Sequence, residues 1–297
     1  MLLRRKILGV ALAGSVSALV LPQTILLEKY KELKAKYRTN QTEVPLHEKC
    51  KNLFEQVLDD MKLSDEDRKL IKPFQAFGYN IFSAGMLTRS SYGAIIGIPM
   101  TYVQGDVNAI NKFHISFNGK PIDWTKESAH NFLESLALSE NAQKYAIARE
   151  VLKLKKNYLH KQVLMVVLNT LGLYYIYSRC YKNFDVFQRS RFFRVLLGSV
   201  IIFVTVFTTF ALNCDINVYL EKKHDEELSK LGPNYVKGAI EYYNKLFIRN
   251  MALKDLLNDE RKNPDVYKYE DTFIWNRGAS LPERILYFEE YSQMNAN

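Results

Sequence analysis

The chain has 297 residues, 47% of them hydrophobic and 25% charged, which excludes a disordered tail protein and a collagen-like fibre. Its mean hydropathy of -0.20 also excludes a transporter built mainly of membrane spans. Lys and Arg outnumber Asp and Glu by 41 to 32, and the net charge of +9 suits nucleic acid, an anionic membrane surface or import into an organelle. The positions of the basic residues must distinguish these classes.

Residues 1–28 form an apolar segment behind a basic head. No charged side chain occurs from Ile7 to Leu27, and Arg4, Arg5 and Lys6 come directly before. The run is longer than the apolar core of a secretory signal, so it is interpreted as an uncleaved targeting and anchor segment. A cleaved signal and a plain transmembrane helix stay open as alternatives.

Two further apolar runs, Val163–Tyr177 and Val195–Leu212, are joined by a short basic link. Aromatic residues stand at the adjoining ends of the runs, as they do at a membrane–water interface. The second run is apolar on all sides, which favours a transmembrane helical hairpin over residues 162–213 rather than two buried core helices. Basic residues lie on both sides of the runs, so charge alone leaves the orientation open.

The remaining sequence, residues 29–161 and 214–297, predicts one water-soluble domain in two parts, because a membrane hairpin returns the chain to its starting side. The first part contains the pattern of an amphipathic helix over Leu46–Met61 and of strands at Tyr79–Ser83 and Tyr92–Met100. An Asn-Gly pair at residues 118–119, between alternating segments, predicts a β-hairpin.

Three later helices complete the pattern. One starts with Ser139 as its N-cap and continues to Lys156, a second covers Asn234–Leu257, and the last opens at Ser280 and continues to Tyr291. The predicted fold class is therefore α+β: mainly helical, with a small sheet and a β-hairpin, interrupted by a two-helix transmembrane hairpin.

This order of elements resembles the CaaX-prenyl-protease type of gluzincin metalloprotease. In that family strands precede a helix that carries HExxH, a transmembrane hairpin follows, and a later helix supplies the third zinc ligand. The segments that carry the resemblance are NIFSAGMLTRSSYGAIIGIP for the strands, ALSENAQKYAIAREVLKLKK for the active-site helix and SLPERILYFEEY for the end of the domain. The resemblance implies a degenerate metalloprotease-like fold.

The positions of the zinc motif are occupied by Arg149, Glu150 and Lys153. A guanidinium has no lone pair for a metal and an ammonium repels a dication, so no metal, cofactor or catalytic residue is predicted. Glu150 and Lys153 are interpreted as an ordinary i,i+3 ion pair on a solvated helix face. The alternative places all three side chains at a cleft, in possible contact with a client protein.

Other ligand sites have little support in the sequence. Glu241 matches the position of the third zinc ligand poorly, and the five histidines form no HxH or HxxxH pair. Cys50, Cys180 and Cys214 are isolated, which excludes a disulfide scaffold. Phosphate-binding loops and nucleophile elbows are absent, and the basic residues cluster beside the apolar runs, so no nucleic-acid partner is predicted.

A closer resemblance is to the transmembrane protein 177 family of the mitochondrial inner membrane. It is carried by SLALSENAQKYAIAREVLKLKK, YGAIIGIP and GAIEYYNKLFIRNMALKDLL, in the same order and spacing. The resemblance implies a non-enzymatic, multi-pass protein whose soluble parts face the matrix. Its partners would be the lipid bilayer, newly made cytochrome c oxidase subunit two, which it stabilises, and the assembly factor COX twenty. The alternative is a membrane-bound zinc-type peptidase with an atypical site.

Overall fold

The computed structural model describes most of the chain, and the statements below concern those residues: 13–14, 16–17, 19–37, 42–87, 92–104, 107–110, 112, 115–117, 120–156, 158–183, 190–256 and 278–295. The predicted N-terminal apolar segment lies partly outside them. Its described residues are helical up to residue 20 and form a 3-10 turn at Leu21–Gln23. The Asn-Gly pair at 118–119 lies outside the described residues.

The described residues form mainly helices, with five short strands. The helices are α1 Leu27–Lys34, α2 Glu48–Asp60, α3 Asp65–Leu70, α4 Thr101–Gln104, α5 Glu127–Leu136, α6 Glu140–Lys156, α7 Tyr158–Asn183, α8 Arg191–Ser229, α9 Pro233–Leu256 and α10 Leu281–Met294. The strands are β1 Ile71–Ala76, β2 Phe82–Gly85, β3 Ala94–Pro99, β4 Ser116–Phe117 and β5 Lys120–Pro121. The α+β class, mainly helical with a small sheet, is confirmed.

The three-stranded sheet has the order β1-β3-β2, with β1 parallel and β2 antiparallel to the buried strand β3. Strand β1 was not predicted, since Lys72 and Pro73 interrupt its apolar pattern, and an edge strand tolerates such residues. The strand predicted at Tyr79–Ser83 begins later, at Phe82, because a bend occupies residues 77–79. Strands β4 and β5 pair antiparallel on either side of the Asn-Gly pair, which confirms the hairpin.

Two of the predicted helix starts are capped as expected. The Ser139 hydroxyl accepts a hydrogen bond from Ala142 N at 3.3 Å, and the Ser280 hydroxyl accepts one from Glu283 N at 3.4 Å. Such caps satisfy amide groups that have no partner within the helix. The short helices α3 and α5 were not predicted.

Helix α6 lies at the centre of the fold and packs against α9, α2, α8 and the sheet. It approaches α9 so closely that a Cβ atom on Gly238 would lie 2.2 Å from the carbonyl oxygen of Asn141. One continuous core contains residues from both soluble parts, including Phe54 of α2, Ile147 of α6 and Phe288 of α10. The two parts therefore fold together around α6.

Helices α7 and α8 contact each other as a helical hairpin, and α8 continues past the predicted end of the hairpin at residue 213 into the core. The first half of α8 exposes large apolar side chains: Val195 is 68%, Phe203 71% and Phe207 61% exposed. Even so, across the described residues no helix combines the length and the apolar character required of a membrane span. The hairpin is thus observed, and its insertion into a membrane is not confirmed.

Candidate functional site

Five charged side chains from three helices meet inside the domain: Arg149 and Glu150 of α6, Glu221 and Asp225 of α8, and Arg284 of α10. We call this set the charge network. Except for Glu221, each of these residues is at most 3% exposed. Buried charges are costly unless they are paired and hydrogen-bonded, so the pairing within the network determines whether this arrangement is stable.

Asp225 and Arg284 form the best-defined pair of the charge network. Arg284 Nε donates to Asp225 Oδ2 and Arg284 Nη2 donates to Asp225 Oδ1, both at 2.6 Å. The Tyr145 and Tyr243 hydroxyls lie 2.9 and 3.1 Å from Asp225 Oδ1, and 2.7 Å from each other. Burial, followed by the negative charge of Asp225, raises the pKa of Tyr145 well above its usual range. This bidentate pair, with phenols around it, fastens α10 to α8.

Glu221 joins the two arginines of the network. Its Oε1 lies 3.6 Å from Arg149 Nη2 and its Oε2 lies 3.4 Å from Arg284 Nη1. The same Oε2 accepts a hydrogen bond from the backbone amide of Ala279 at 2.7 Å. A Cβ atom on the neighbouring Gly278 would collide with this carboxylate, so a larger residue there would require the Glu221 carboxylate to move. Glu221 therefore holds both α6 and the segment that leads into α10.

Glu150 is surrounded by donors. Its Oε1 accepts hydrogen bonds from Lys153 Nζ at 2.7 Å and from Arg149 Nη1 at 3.3 Å, and its Oε2 accepts one from the Ser83 hydroxyl of β2 at 2.7 Å. The predicted i,i+3 pair with Lys153 thus exists. The predicted solvated setting is wrong, because the side chain of Glu150 is only 3% exposed and that of Lys153 only 30%.

His224 lies among the positive charges of the network and is 2% exposed. Burial lowers the pKa of its imidazole to about 3, and the positive charges of Arg149 and Lys153 add to this effect. His224 is consequently neutral at physiological pH. The charge network together with Lys153 has three basic and three acidic side chains, so this group carries no net formal charge.

The structure brings the three predicted site residues into one place, although with unequal access to solvent. Arg149 and Glu150 are buried, and Lys153 alone among the three reaches the surface. Contact with a client protein stays a prediction for all of them, and in this conformation only Lys153 offers a side chain for it. Catalytic, cofactor and metal roles were predicted for no residue.

Several residues of this site were not predicted from the sequence: Glu221, Asp225 and Arg284, together with the hydroxyls of Tyr145 and Ser83. The segment EKKHDEEL reads as a solvated helix, because a buried carboxylate and an exposed one look the same in composition. The i,i+4 spacing of Glu221 and Asp225, on a helix that continues an apolar run, is the one signal that places both on a single face.

Glu241, the poor match to a third zinc ligand, has a structural role in this fold. Its Oε1 accepts from Ser139 N at 2.8 Å and its Oε2 accepts from the Ser139 hydroxyl, so it fastens α9 to the start of α6. Within the described ranges, no group of three or more His, Cys, Asp and Glu side chains is arranged to hold a metal ion.

Comparison with known proteins places the chain among named relatives. A family model described as Transmembrane protein 177 matches residues 99–269, more than half of the chain. Transmembrane protein 177 of Danio rerio is 32% identical over 75% of this chain and 71% of its own length. The counterpart in Rattus norvegicus is 29% identical over 80% of this chain and 76% of its own length. The counterpart in Homo sapiens is 29% identical over 73% of this chain and 68% of its own length. No solved structure matches. The chain belongs to the Transmembrane protein 177 family.

Proposed function

We propose that this protein is a non-enzymatic factor of the mitochondrial inner membrane. In this proposal it stabilises newly made cytochrome c oxidase subunit two together with the assembly factor COX twenty during oxidase biogenesis. The resemblance of the α6, β3 and α9 segments to the family is the reason for naming these partners. The supporting observation from the fold is the charge network, in which Arg149 and Glu150, two of the positions that the metalloprotease resemblance assigns to the zinc motif, are held in ion pairs.

The proposal includes a membrane hairpin made of α7 and α8, with the rest of the domain in the matrix. The exposed apolar side chains of α8 support it, since the described part of the chain leaves them open to solvent. The word "transmembrane" in the names of the relatives supports it too. Carbonate extraction of mitochondria tests it: we expect the protein in the pellet, and its release into the supernatant would contradict a membrane-spanning hairpin.

The engagement of Glu150 is the observation on which the non-enzymatic function rests. A general base must reach a substrate or an activated water, whereas this carboxylate is 3% exposed and bound by Lys153, Arg149 and Ser83. Two cations next to it disfavour a bound dication, so no metal-activated water would be available to it. The arrangement is that of a structural ion-pair cluster rather than a hydrolytic site.

Pulse labelling of mitochondrial translation tests the proposed function. Cells that lack the protein should lose newly made subunit two faster, and the wild-type chain should restore its half-life. Glu150→Gln, expressed to the same abundance, should restore it as well, because the proposal gives this carboxylate no catalytic role. Glu140→Gln is the matched control, since it lies at the exposed start of the same helix. If Glu150→Gln is present at normal abundance and fails to restore the half-life of subunit two, the result would favour the alternative function as a zinc-type peptidase.

Metal content separates the two functions independently. A zinc peptidase purified without chelators carries about one zinc per chain. We expect far less than one zinc per chain for the detergent-purified protein by elemental mass spectrometry. A stoichiometric value would overturn the proposal.

A further inference from the structure

Strand β2 lies at one end of the three-stranded sheet, and within the part of the chain that the structure describes no strand pairs with its outer edge. The amide of Met86 donates toward β3, to the carbonyl oxygen of Gly93 at 3.0 Å. The amide of Gly85 donates on the other side, to Gln23 Oε1 at 2.7 Å. Backbone groups alternate between the two sides of a strand, so the N–H and C=O of Ser83 also point away from β3.

One side chain already occupies this outer edge in the way that a strand would. Gln23 belongs to the 3-10 turn at Leu21–Gln23, and its amide oxygen stands where the carbonyl oxygen of a further strand would accept from Gly85. Within the described ranges, Ser83 makes its hydrogen bond through the side chain, to Glu150, and its outward N–H and C=O meet no such group. The edge is thus closed at Gly85 and open at Ser83.

A positive charge lies beside the open part of the edge. The Ser83 hydroxyl and the Lys153 ammonium bind the same carboxylate, that of Glu150, at 2.7 Å each. The side chain of Lys153 is 30% exposed and uses one of its three donors in this contact. On an added strand, the residue opposite Ser83 directs its side chain to the same face as the Ser83 side chain, and so toward Lys153. The edge therefore favours a strand with a carboxylate at that position.

We propose that β2 accepts an extended segment of a client protein as a further strand, with an acidic residue opposite Ser83. The segment would exchange two backbone hydrogen bonds with Ser83 and displace the Gln23 oxygen from Gly85. Its carboxylate would pair with Lys153. A second copy of this chain is disfavoured as the occupant, because antiparallel pairing of two β2 edges at Ser83 would bring two Lys153 side chains together. The inference deepens the proposed function and rests on it for the existence of a client.

Fluorescence anisotropy of a labelled peptide tests the proposal on the detergent-purified full chain. The probe is a heptapeptide of alternating threonine and valine with glutamate at its centre, and its counterpart has lysine there. We expect the glutamate peptide to bind at least about tenfold more tightly, since only it can pair with the ammonium. N-methylation of its glutamate amide should weaken binding by a similar factor, whereas N-methylation of the next amide, which faces away from β2, should not. Equal binding of the two peptides, or of the two methylated forms, would overturn the proposal.

Variants of the chain locate the bound strand. Ser83→Pro removes the outward N–H and spares the side that pairs with β3, whereas Ser83→Ala keeps the N–H, so Ser83→Pro should bind at least about tenfold more weakly than Ser83→Ala. Lys153→Gln should weaken binding of the glutamate peptide about tenfold, while Lys155→Gln, an exposed cation of the same helix, should bind like the wild type. Gln23→Ala removes the competing oxygen and should tighten binding about threefold.

A thermal melt of each variant shows whether it is folded, and the N-methylated peptides test the wild-type chain even if Ser83→Pro is not. Unchanged binding by folded Lys153→Gln would contradict the charge pairing, and equal or weaker binding by folded Gln23→Ala would contradict the displacement. These titrations contain no subunit two, so their failure would leave the proposed function untouched. Failure of the proposed function would show in the pulse labelling instead.

Discussion

The two halves of helix α8 differ in a way that reverses the usual distribution of side chains. Its first half exposes Phe203 and Phe207 by 71% and 61%, whereas its second half buries His224 and Asp225 to 2% exposure each. In a soluble domain the aromatic residues would be inside and the charges outside. The first half of α8 thus places apolar side chains on the surface of the protein, and the second half places polar and charged side chains in the interior of the domain.

Each half follows from what surrounds it. The buried half is stable because Asp225 meets a guanidinium and two phenols, and Glu221 meets two arginines. Among the described residues the exposed half has no such partners, and an apolar surface of this kind marks an interaction with another protein or with a membrane. The second half of α8 is therefore buried because α6 and α10 supply partners for its charged side chains. The hydropathy of this half alone does not determine its burial.

Loss of the central carboxylate should produce the largest effect. Asp225→Asn removes the bidentate counter-charge of the buried Arg284 guanidinium and leaves it only the longer contact with Glu221, so we expect a loss of about 3–5 kcal/mol in the free energy of unfolding. Urea unfolding of the detergent-solubilised protein measures it. Glu226→Gln, next to it on the exposed face, should change stability by less than about 0.5 kcal/mol. If both variants lower the free energy of unfolding by similarly small amounts, the charge network does not stabilise the second half of α8.

A charged residue introduced into the first half of α8 tests whether this half lies in a membrane. Phe203→Asp should disfavour membrane insertion by about 2.5–3.5 kcal/mol, because a carboxylate in the middle of a membrane helix is poorly solvated. The fraction resistant to carbonate should fall, while Phe203→Leu should behave as wild type. If Phe203→Asp stays fully in the pellet, the first half of α8 does not lie in lipid.

Protonation of His224 should contribute to the pH dependence of the free energy of unfolding. Its pKa is about 3 in the folded chain and near 6.5 when unfolded, so below pH 6.5 protons bind the unfolded chain preferentially. His224 should therefore cost about 2 kcal/mol at pH 5 relative to neutral pH, a loss that grows until pH falls to about 3. His224→Gln should flatten this slope in unfolding measured from pH 7 to pH 5. His130→Gln, exposed on α5, should keep it, and identical slopes for both would contradict the assigned pKa.

The smallest effect is expected at the rim of the network. Lys156 Nζ lies 2.6 Å from Glu227 Oε1, but the two side chains are 41% and 35% exposed. Solvent screens such a pair, so Lys156→Gln should lower stability by at most about 1 kcal/mol. A loss as large as that of Asp225→Asn would mean that the network extends to the surface of the domain.

The sequence predicted those elements whose evidence is local. Ser139 and Ser280 are recognisable caps, and the Asn-Gly pair indicates its own hairpin. Strand β1 escaped prediction because its stability comes from parallel pairing with β3, which no neighbouring residue indicates.

The candidate site was predictable only in part, for a related reason. Arg149, Glu150 and Lys153 are close in sequence and belong to one recognisable motif. Asp225 and Arg284 are 59 residues apart, and the residues between them do not determine their contact. Whether a charged side chain is buried depends on long-range packing, which hydropathy along the chain does not contain.

The spacing of the charge network also fixes the order in which the domain can be completed. The hydrogen bond between Tyr145 and Asp225 joins residues that are 80 positions apart in the chain. The bond between Asp225 and Arg284 joins residues that are a further 59 positions apart. Closing such long loops is entropically costly and slow compared with forming a helix. The charge network must therefore remain incomplete until α10 has been synthesised. Chains truncated before α10 should leave Asp225 without the Arg284 guanidinium and become better substrates for proteolysis.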